Sequence, residues 1–160
     1  MANVVTLEDG MEAPLFSAED SAGNVWNLGD VLAEGKQVVL YFYPKDSTPG
    51  CTKQACDFRD NMGALNSADV AVFGVSKDSA KSHQKFTEKQ ELNFPLLLDT
   101  EGELLEKYGV WREKKNYGRT YMGIARSTFV IESDGTLSMA KYGVKATGHV
   151  ARIMKHLELE

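Results

Sequence analysis

The chain has 160 residues, 42% of them apolar, which predicts one domain over residues 1–160 with enough apolar side chains for a core. Its 18 Lys and Arg and 23 Asp and Glu give a net charge of −5. That balance argues against nucleic acid as a partner, because neutralising phosphates requires a clustered basic face.

The first half of the chain predicts a hairpin and then alternating strands and helices. LFSAED and NVWNL flank the turn SAGN and form the hairpin. VVLYFY, from Val38, has the composition of a buried strand, and CTKQACDFRDNMGAL has apolar residues at helical spacing. VAVFGVS predicts a second buried strand, and SAKSHQKFTEKQEL predicts a polar, mostly exposed helix capped by Ser79.

The second half predicts shorter elements. FPLLLD and GELLEKYG indicate a strand and a short helix. A loop rich in Gly and Tyr follows, and its basic stretch WREKKNYGR, interrupted by Glu113, is interpreted as solvated. STFVIES and TLSMAKYG flank Asp134-Gly135, a strong signal for a hairpin turn, and a last helix begins near Gly148.

This order of elements predicts an α/β fold. Continuous apolar strands joined through a helix form a parallel pair buried on both faces. With the terminal hairpin added, we expect a thioredoxin-like fold: a central mixed β-sheet flanked by helices, with an N-terminal β-hairpin. Ligands bind such sheets at the carboxyl ends of the strands, which is where Cys51 and Cys56 follow the first parallel strand.

The sequence also indicates the cellular compartment of the protein. MANVVTLEDG has no cationic start followed by an apolar core, so it does not resemble a signal peptide. No apolar run approaches the roughly 20 residues of a membrane helix. We therefore expect a cytoplasmic protein without a membrane partner, and in that compartment a close pair of cysteines is more often catalytic than structural.

Cys51 is the first candidate for chemistry. It follows Pro49-Gly50 in the first turn of its helix, where free N–H groups and the helix dipole favour a thiolate. Thr48 can offer its hydroxyl to the sulfur or to the molecule that the sulfur attacks. Alternatively, Thr48 only caps the helix and Cys51 is a small buried apolar residue. The pattern of Pro44, Thr48 and Cys51 favours catalysis.

Cys56 leaves two interpretations open. In an intact helix, residues five apart have Cα atoms about 8.6 Å apart on faces about 140° apart, whereas a disulfide rarely tolerates more than about 7 Å. A Cys51–Cys56 bond would therefore require local unwinding, and Cys56 as a plain core residue remains an alternative. Two cysteines without a nearby histidine or second pair do not form a tetrahedral zinc site, so we expect no metal and no cofactor.

The motifs resemble those of one known family. YFYPKDSTPGCTKQACDFRD, with YGVWREK and RSTFVI downstream, resembles the peroxiredoxin Q group, also called bacterioferritin comigratory protein, over essentially the whole chain. The resemblance implies a thiol-dependent peroxidase that reduces hydrogen peroxide and organic hydroperoxides. It implies Cys51 as the peroxidatic cysteine and Cys56 as the resolving cysteine of an intrachain disulfide, which thioredoxin or a glutaredoxin-like donor reduces.

The resemblance also implies a pocket around Cys51. Pro44 and Thr48 shape it, Arg126 of RSTF lies beside it, and peroxide contacts Thr48, Gly50, Cys51 and Arg126. The arginine, a permanent cation, can stabilise both the thiolate and the departing oxygen; its alternative role is that of an exposed arginine at a strand start. Attack on peroxide leaves a sulfenic acid, which condenses with a second thiol.

Gln54 departs from the family pattern, which commonly has Glu three residues after the peroxidatic cysteine. One helical turn along, Gln54 faces the same way as Cys51. It retains hydrogen-bonding groups but lacks the charge. We interpret it as a residue that tunes Cys51, with a permissive helix position as the alternative.

The remaining aromatic and histidine side chains are interpreted as lying outside the site. The aromatic residues expected to pack rather than contact substrate are Trp111, Tyr117 and Tyr121. The histidines lie on polar helical segments and are expected to be exposed rather than catalytic: His83, His149 and His156.

Two rival functions remain on the same fold. A thiol–disulfide oxidoreductase would have Cys-x-x-Cys and a proline before the strand opposite the thiols, whereas this chain has Cys-x4-Cys and Arg126-Ser127. A non-enzymatic redox sensor or holdase would consume about one peroxide per molecule unless continuously reduced. For assembly, we expect a monomer, with a weak dimer as the alternative.

Overall fold

The structure, a computed structural model, describes residues 5–159 of the chain. The strands are β1 (Ser17–Glu19), β2 (Val25–Asn27), β3 (Gln37–Phe42), β4 (Val70–Ser76), β5 (Leu96–Leu98), β6 (Trp111–Asn116), β7 (Arg119–Ile124), β8 (Ser127–Ile131) and β9 (Leu137–Lys141). The helices are α1 (Leu28–Ala33), α2 (Pro49–Ser67), α3 (Ala80–Gln90), α4 (Glu103–Lys107) and α5 (His149–His156).

A five-stranded mixed sheet forms the centre of the fold, in the order β5-β4-β3-β8-β9. β3 runs parallel to β4, and β4 to β5, while β8 pairs antiparallel with β3 and β9 with β8. The parallel strands are joined through α2 and α3, and β1 and β2 form a separate hairpin. This arrangement confirms the expected thioredoxin-like fold.

The continuous apolar run in β3 is explained by cover on both faces. Val38, Leu40 and Phe42 pack into one cluster, with residues of α1 and α4. Val39 and Tyr41 pack into the other, with residues of α2, α3 and α5. Because successive side chains of a strand point to opposite faces, both faces of β3 must be apolar.

The segment after α4 differs from the prediction of a loop. β6 and β7 pair in register from Trp111 with Ile124 to Asn116 with Arg119. Tyr117 and Gly118 form the turn, with φ of 51° and 76°, and positive φ at both turn positions suits a tight hairpin. Tyrosine rarely adopts this conformation, so the turn was not apparent from the sequence.

The aromatic residues of this hairpin do not all pack as expected. Trp111 is half-buried against the core, as predicted. Tyr117 is 97% exposed and Tyr121 is 45% exposed, so the prediction that they pack was wrong for both. Across residues 5–159, no helix combines the length and apolarity needed to cross a bilayer.

Candidate active site

The site lies at the carboxyl end of β3, where the chain enters α2. Thr48 is the N-cap residue, Pro49 follows it, and the first helical hydrogen bond runs from Thr52 N to Thr48 O, 2.8 Å. The N–H of Cys51 therefore belongs to the first turn of the helix, whose N–H groups have no partner within the helix. Cys51 itself is 2% exposed, so its sulfur lies in a nearly dry pocket.

Arg126 reaches this sulfur from the neighbouring strand. It directly precedes β8, whose first residue, Ser127, pairs with Phe42 at the end of β3. Its Nη2 donates to Cys51 Sγ at 3.3 Å. The guanidinium therefore places a permanent positive charge directly against the sulfur. The alternative role of Arg126, an exposed arginine at a strand start, does not fit this contact.

Gln54 holds the other side of the same guanidinium. Its Oε1 accepts a hydrogen bond from Arg126 Nη1 at 2.5 Å. Gln54 is fully buried, and its Nε2 has no partner among the described residues. The position is therefore not a permissive surface site: Gln54, Arg126 and Cys51 form one hydrogen-bonded chain.

Gly50 leaves room for this arginine. A methyl group at Gly50 would lie 3.2 Å from Arg126 Nη2 and 3.7 Å from the Cβ of Ala146. The first distance is tighter than an ordinary contact, so a larger residue would displace the guanidinium. Gly50 thus permits the Arg126–Cys51 contact.

Thr48 and Pro44 lie in the loop between β3 and α2. The side chain of Thr48 does not cap the helix; its Oγ1 donates to Lys45 O at 2.9 Å. With its hydrogen committed there, the oxygen retains lone pairs for an incoming O–H group. Pro44 is half-buried and directly follows the buried Tyr43, the first residue after β3.

Cys56 lies five residues along the same continuous helix, half-buried rather than in the core. Both cysteines are free thiols. Cys56 Sγ donates weakly to Gln90 Oε1 at 3.5 Å, at the end of α3. Nearby, Arg59 Nη1 donates to Gln90 O at 2.6 Å. With α2 intact, the two sulfurs therefore contact different residues: Cys51 contacts Arg126 and Cys56 contacts Gln90.

A buried polar network that the sequence interpretation missed anchors the catalytic loop. Asp46 lies between Pro44 and Thr48, and its carboxylate accepts from Tyr43 Oη at 2.5 Å and contacts His83 Nδ1 at 2.7 Å. His83, on α3, also places Nε2 3.0 Å from Leu97 O.

Burial would raise the pKa of Asp46, but hydrogen bonds from His83 and Tyr43 and the charge of His83 lower it below its usual value. The network therefore favours a carboxylate, which ties the loop to α3.

Two of the three histidines contradict the expected exposure. His83 is fully buried. It lies three residues before the buried Phe86, and this shared face was the signal that could have revealed it. His149 is 3% exposed, and its Nε2 lies 2.8 Å from Thr128 Oγ1. His156 is exposed, as expected.

Asp46, Asp78 and His83 place ligand-type atoms within 4.8 Å of one another. Their atoms already satisfy each other or the backbone, since Asp78 Oδ2 accepts from Asp46 N at 2.9 Å and from Ser76 Oγ at 2.7 Å. The cluster is thus explained as hydrogen bonding that fixes the loop.

Comparison with known proteins identifies the family. Residues 10–140 match the AhpC/TSA family. The chain belongs to this family.

Its relatives are peroxiredoxins. The chain is 46% identical to peroxiredoxin Bcp of Bacillus subtilis over 154 residues, which cover 96% of this chain and 97% of the relative. Among solved structures, it resembles a PrxQ of Xylella fastidiosa, in a cysteine-to-serine variant, with a TM-score of 0.87 and 32% identity over 98% of both chains.

A further structural relative is a bacterioferritin comigratory protein of Xanthomonas campestris, for which alkyl peroxide reduction activity is described. The TM-score is 0.83, with 37% identity over 89% of this chain and 90% of that chain. These similarities confirm the resemblance found in the sequence. The protein is a peroxiredoxin, a thiol-dependent peroxidase of the oxidoreductase class.

Proposed function

We propose that Cys51 is the peroxidatic cysteine of this peroxiredoxin and that Cys56 resolves it as an intrachain disulfide. The observation that supports the role of Cys51 best is the 3.3 Å contact from Arg126 Nη2 to its sulfur. A guanidinium in a nearly dry pocket provides charge where the reaction needs it. Cys56 reacts with a sulfenic acid at Cys51 rather than with peroxide, so it needs no such arginine contact.

The first step cleaves the peroxide bond. The Cys51 thiolate attacks the terminal oxygen of R–O–OH, the O–O bond breaks, and the electron pair leaves on the RO oxygen, which takes a proton to become ROH. The hydroperoxide O–H donates to Thr48 Oγ1, whose own hydrogen is held by Lys45 O, and the N–H of Cys51 and Arg126 donate to the peroxide oxygens. Pro44 limits the access of water. The product at Cys51 is a sulfenic acid.

The second step forms the disulfide. Cys56 attacks the Cys51 sulfenic acid, an S–S bond forms and water leaves. Because both residues lie in α2, with Cα atoms about 8.6 Å apart in a regular helix, its first turns must unwind. The side chain of Thr48 makes no cap bond, and Cys56 has only a weak contact to Gln90 at 3.5 Å. The main side-chain bonds that unwinding must break or rearrange are therefore those of Arg126 to Gln54 and Cys51.

Recycling completes the cycle. We infer that thioredoxin or a glutaredoxin-like protein returns the disulfide to two thiols, in the cytoplasm, where reducing donors are maintained. We also infer that the enzyme acts as a monomer, because Cys51, Gln54 and Arg126 of one chain contact one another directly.

A coupled peroxidase assay tests this function. Reduced protein is supplied with thioredoxin or glutaredoxin and with hydrogen peroxide or an alkyl hydroperoxide, and peroxide loss is followed over many turnovers. We expect sustained turnover with at least one donor. Consumption that stops at about one peroxide per chain with both protein donors would instead indicate a redox sensor.

A further inference from the structure

A cationic cavity of about 450 Å³ lies beside the active site, between the end of β9 and the start of α5. Lys141, Lys145 and Arg152 line it, and Met139 and Val144 add apolar surface. All three cations are exposed, and within residues 5–159 none has a carboxylate salt-bridge partner. This concentration of positive charge contrasts with the net charge of −5 of the chain.

The cavity is separated from Cys51 by one short segment, residues 144–147. Val144 N donates to Arg126 O at 2.9 Å, and a methyl group at Gly50 would contact Ala146 at 3.7 Å. On the cavity side, Arg152 Nη2 donates to Thr147 O at 3.4 Å. The cations therefore flank the start of α2 from outside the peroxide pocket.

We propose that this cavity docks an acidic surface of the protein thiol reductant that recycles the enzyme. The inference rests on the proposed function, which requires such a donor. Exposed cations that have no carboxylate partner within residues 5–159 suit a reversible, salt-dependent association with a protein of opposite charge. The cavity is poorly placed to bind the peroxide substrate. A peroxide must reach the nearly buried Cys51, whereas a molecule held in the cavity would lie on the far side of Ala146.

Docking there brings the donor to the oxidised cysteines. One thiolate of the donor attacks Cys56 Sγ, the Cys51–Cys56 bond breaks, and Cys51 leaves as a thiolate. The second donor thiol then attacks the mixed disulfide, releases Cys56 and leaves the donor as a disulfide. Two electrons pass to the enzyme, and the protons of the donor thiols balance the two regenerated cysteines.

Charged dithiol peptides test the proposal directly. Two Cys-x-x-Cys peptides, one flanked by Asp and Glu and one by Lys, are compared as reductants of the peroxide-oxidised enzyme, with neutral dithiothreitol as reference. We expect the acidic peptide to react at least about fivefold faster than the basic one at low salt, with the difference fading near 0.5 M salt, a concentration chosen to screen surface charge.

Substitutions then locate the effect. Lys141→Gln, Lys145→Gln and Arg152→Gln together should abolish the preference for the acidic peptide while leaving the dithiothreitol rate and the oxidation of Cys51 by hydrogen peroxide unchanged. Equal rates for the two peptides with the parent enzyme would overturn the proposal.

A matched control removes the same charge elsewhere: Lys36→Gln, Lys107→Gln and Lys115→Gln. This variant should keep the preference for the acidic peptide. An equal loss in the control would assign the preference to net charge and contradict a docking site. If the cavity variant slowed only the oxidation of Cys51 by a carboxylate-bearing hydroperoxide, the cavity would serve the substrate, and the proposal would also be wrong.

The outcome is separable from that of the proposed function. Thiol counting after one equivalent of peroxide shows whether Cys56 has formed a disulfide. If it has not, the oxidised enzyme holds a Cys51 sulfenic acid, which dithiols also reduce. The peptide comparison then still reports on the cavity.

Discussion

Arg126 joins Gln54 to Cys51 through a single guanidinium: Nη1 donates to Gln54 Oε1 at 2.5 Å and Nη2 to Cys51 Sγ at 3.3 Å. The two contacts fix the orientation of the planar group. Since Gln54 is neutral, the positive charge of Arg126 is not offset by its buried partner. The chemistry of position 54 therefore bears directly on the thiolate.

Gln54→Glu should make the Cys51 thiolate less stable relative to the thiol than it is in the parent. The carboxylate keeps the bond to Arg126, and because Gln54 Nε2 has no partner among the described residues, the change breaks no hydrogen bond there. The added negative charge opposes ionisation of the nearby thiol. In a Cys56→Ser background, the thiolate absorbance of Cys51 should develop at higher pH than in the parent. Gln54→Met, which adds no charge, is the control, and an unchanged or downward shift with Glu would refute the charge argument.

Arg126→Lys should slow the oxidation of Cys51 by roughly tenfold to a hundredfold, because one ammonium cannot keep both contacts of the fork. Stopped-flow measurement of Cys51 oxidation checks this. Arg119→Lys, an exposed arginine on β7, should leave the rate unchanged. A rate near that of the parent in Arg126→Lys would remove the arginine from the mechanism.

His149 should make stability depend on pH. Burial, with contributions from Arg152 and Arg126, lowers the pKa of His149 to about 4. The unfolded chain therefore takes up this proton first as the pH falls below about 6.5, and stability is lost progressively towards pH 4. The loss attributable to His149 should reach up to roughly 3 kcal/mol at pH 4, given about 1.4 kcal/mol per pKa unit.

Denaturant unfolding between pH 7 and pH 4 measures this loss. His149→Asn should flatten the dependence relative to the parent, whereas His156→Asn, at an exposed position, should not. Parallel curves for the parent and His149→Asn would show that His149 does not carry the effect.

The location of Cys51 at the end of a buried strand could be predicted from the sequence, because that prediction needs only local patterns. The apolar run of β3 and the helical spacing of α2 place it at a strand end. The contact between Gln54 and Arg126 joins residues 72 apart and depends on the pairing of β8 with β3, which local patterns do not specify. The hydrogen bonds of His83 could not be predicted for a similar reason, since its partners Asp46 and Leu97 lie on other elements.

The division of roles between Cys51 and Cys56 is tested most directly by thiol counting and peptide mapping after one equivalent of hydrogen peroxide. The parent should lose both free thiols and yield one intrachain Cys51–Cys56 disulfide. In Cys56→Ser, oxidation should stop at a Cys51 sulfenic acid. In Cys51→Ser, the Cys56 thiol should remain free and little peroxide should be consumed. A parent enzyme that is oxidised at Cys51 while Cys56 remains a free thiol, or a Cys51→Ser variant that consumes peroxide at the parent rate, would contradict the account.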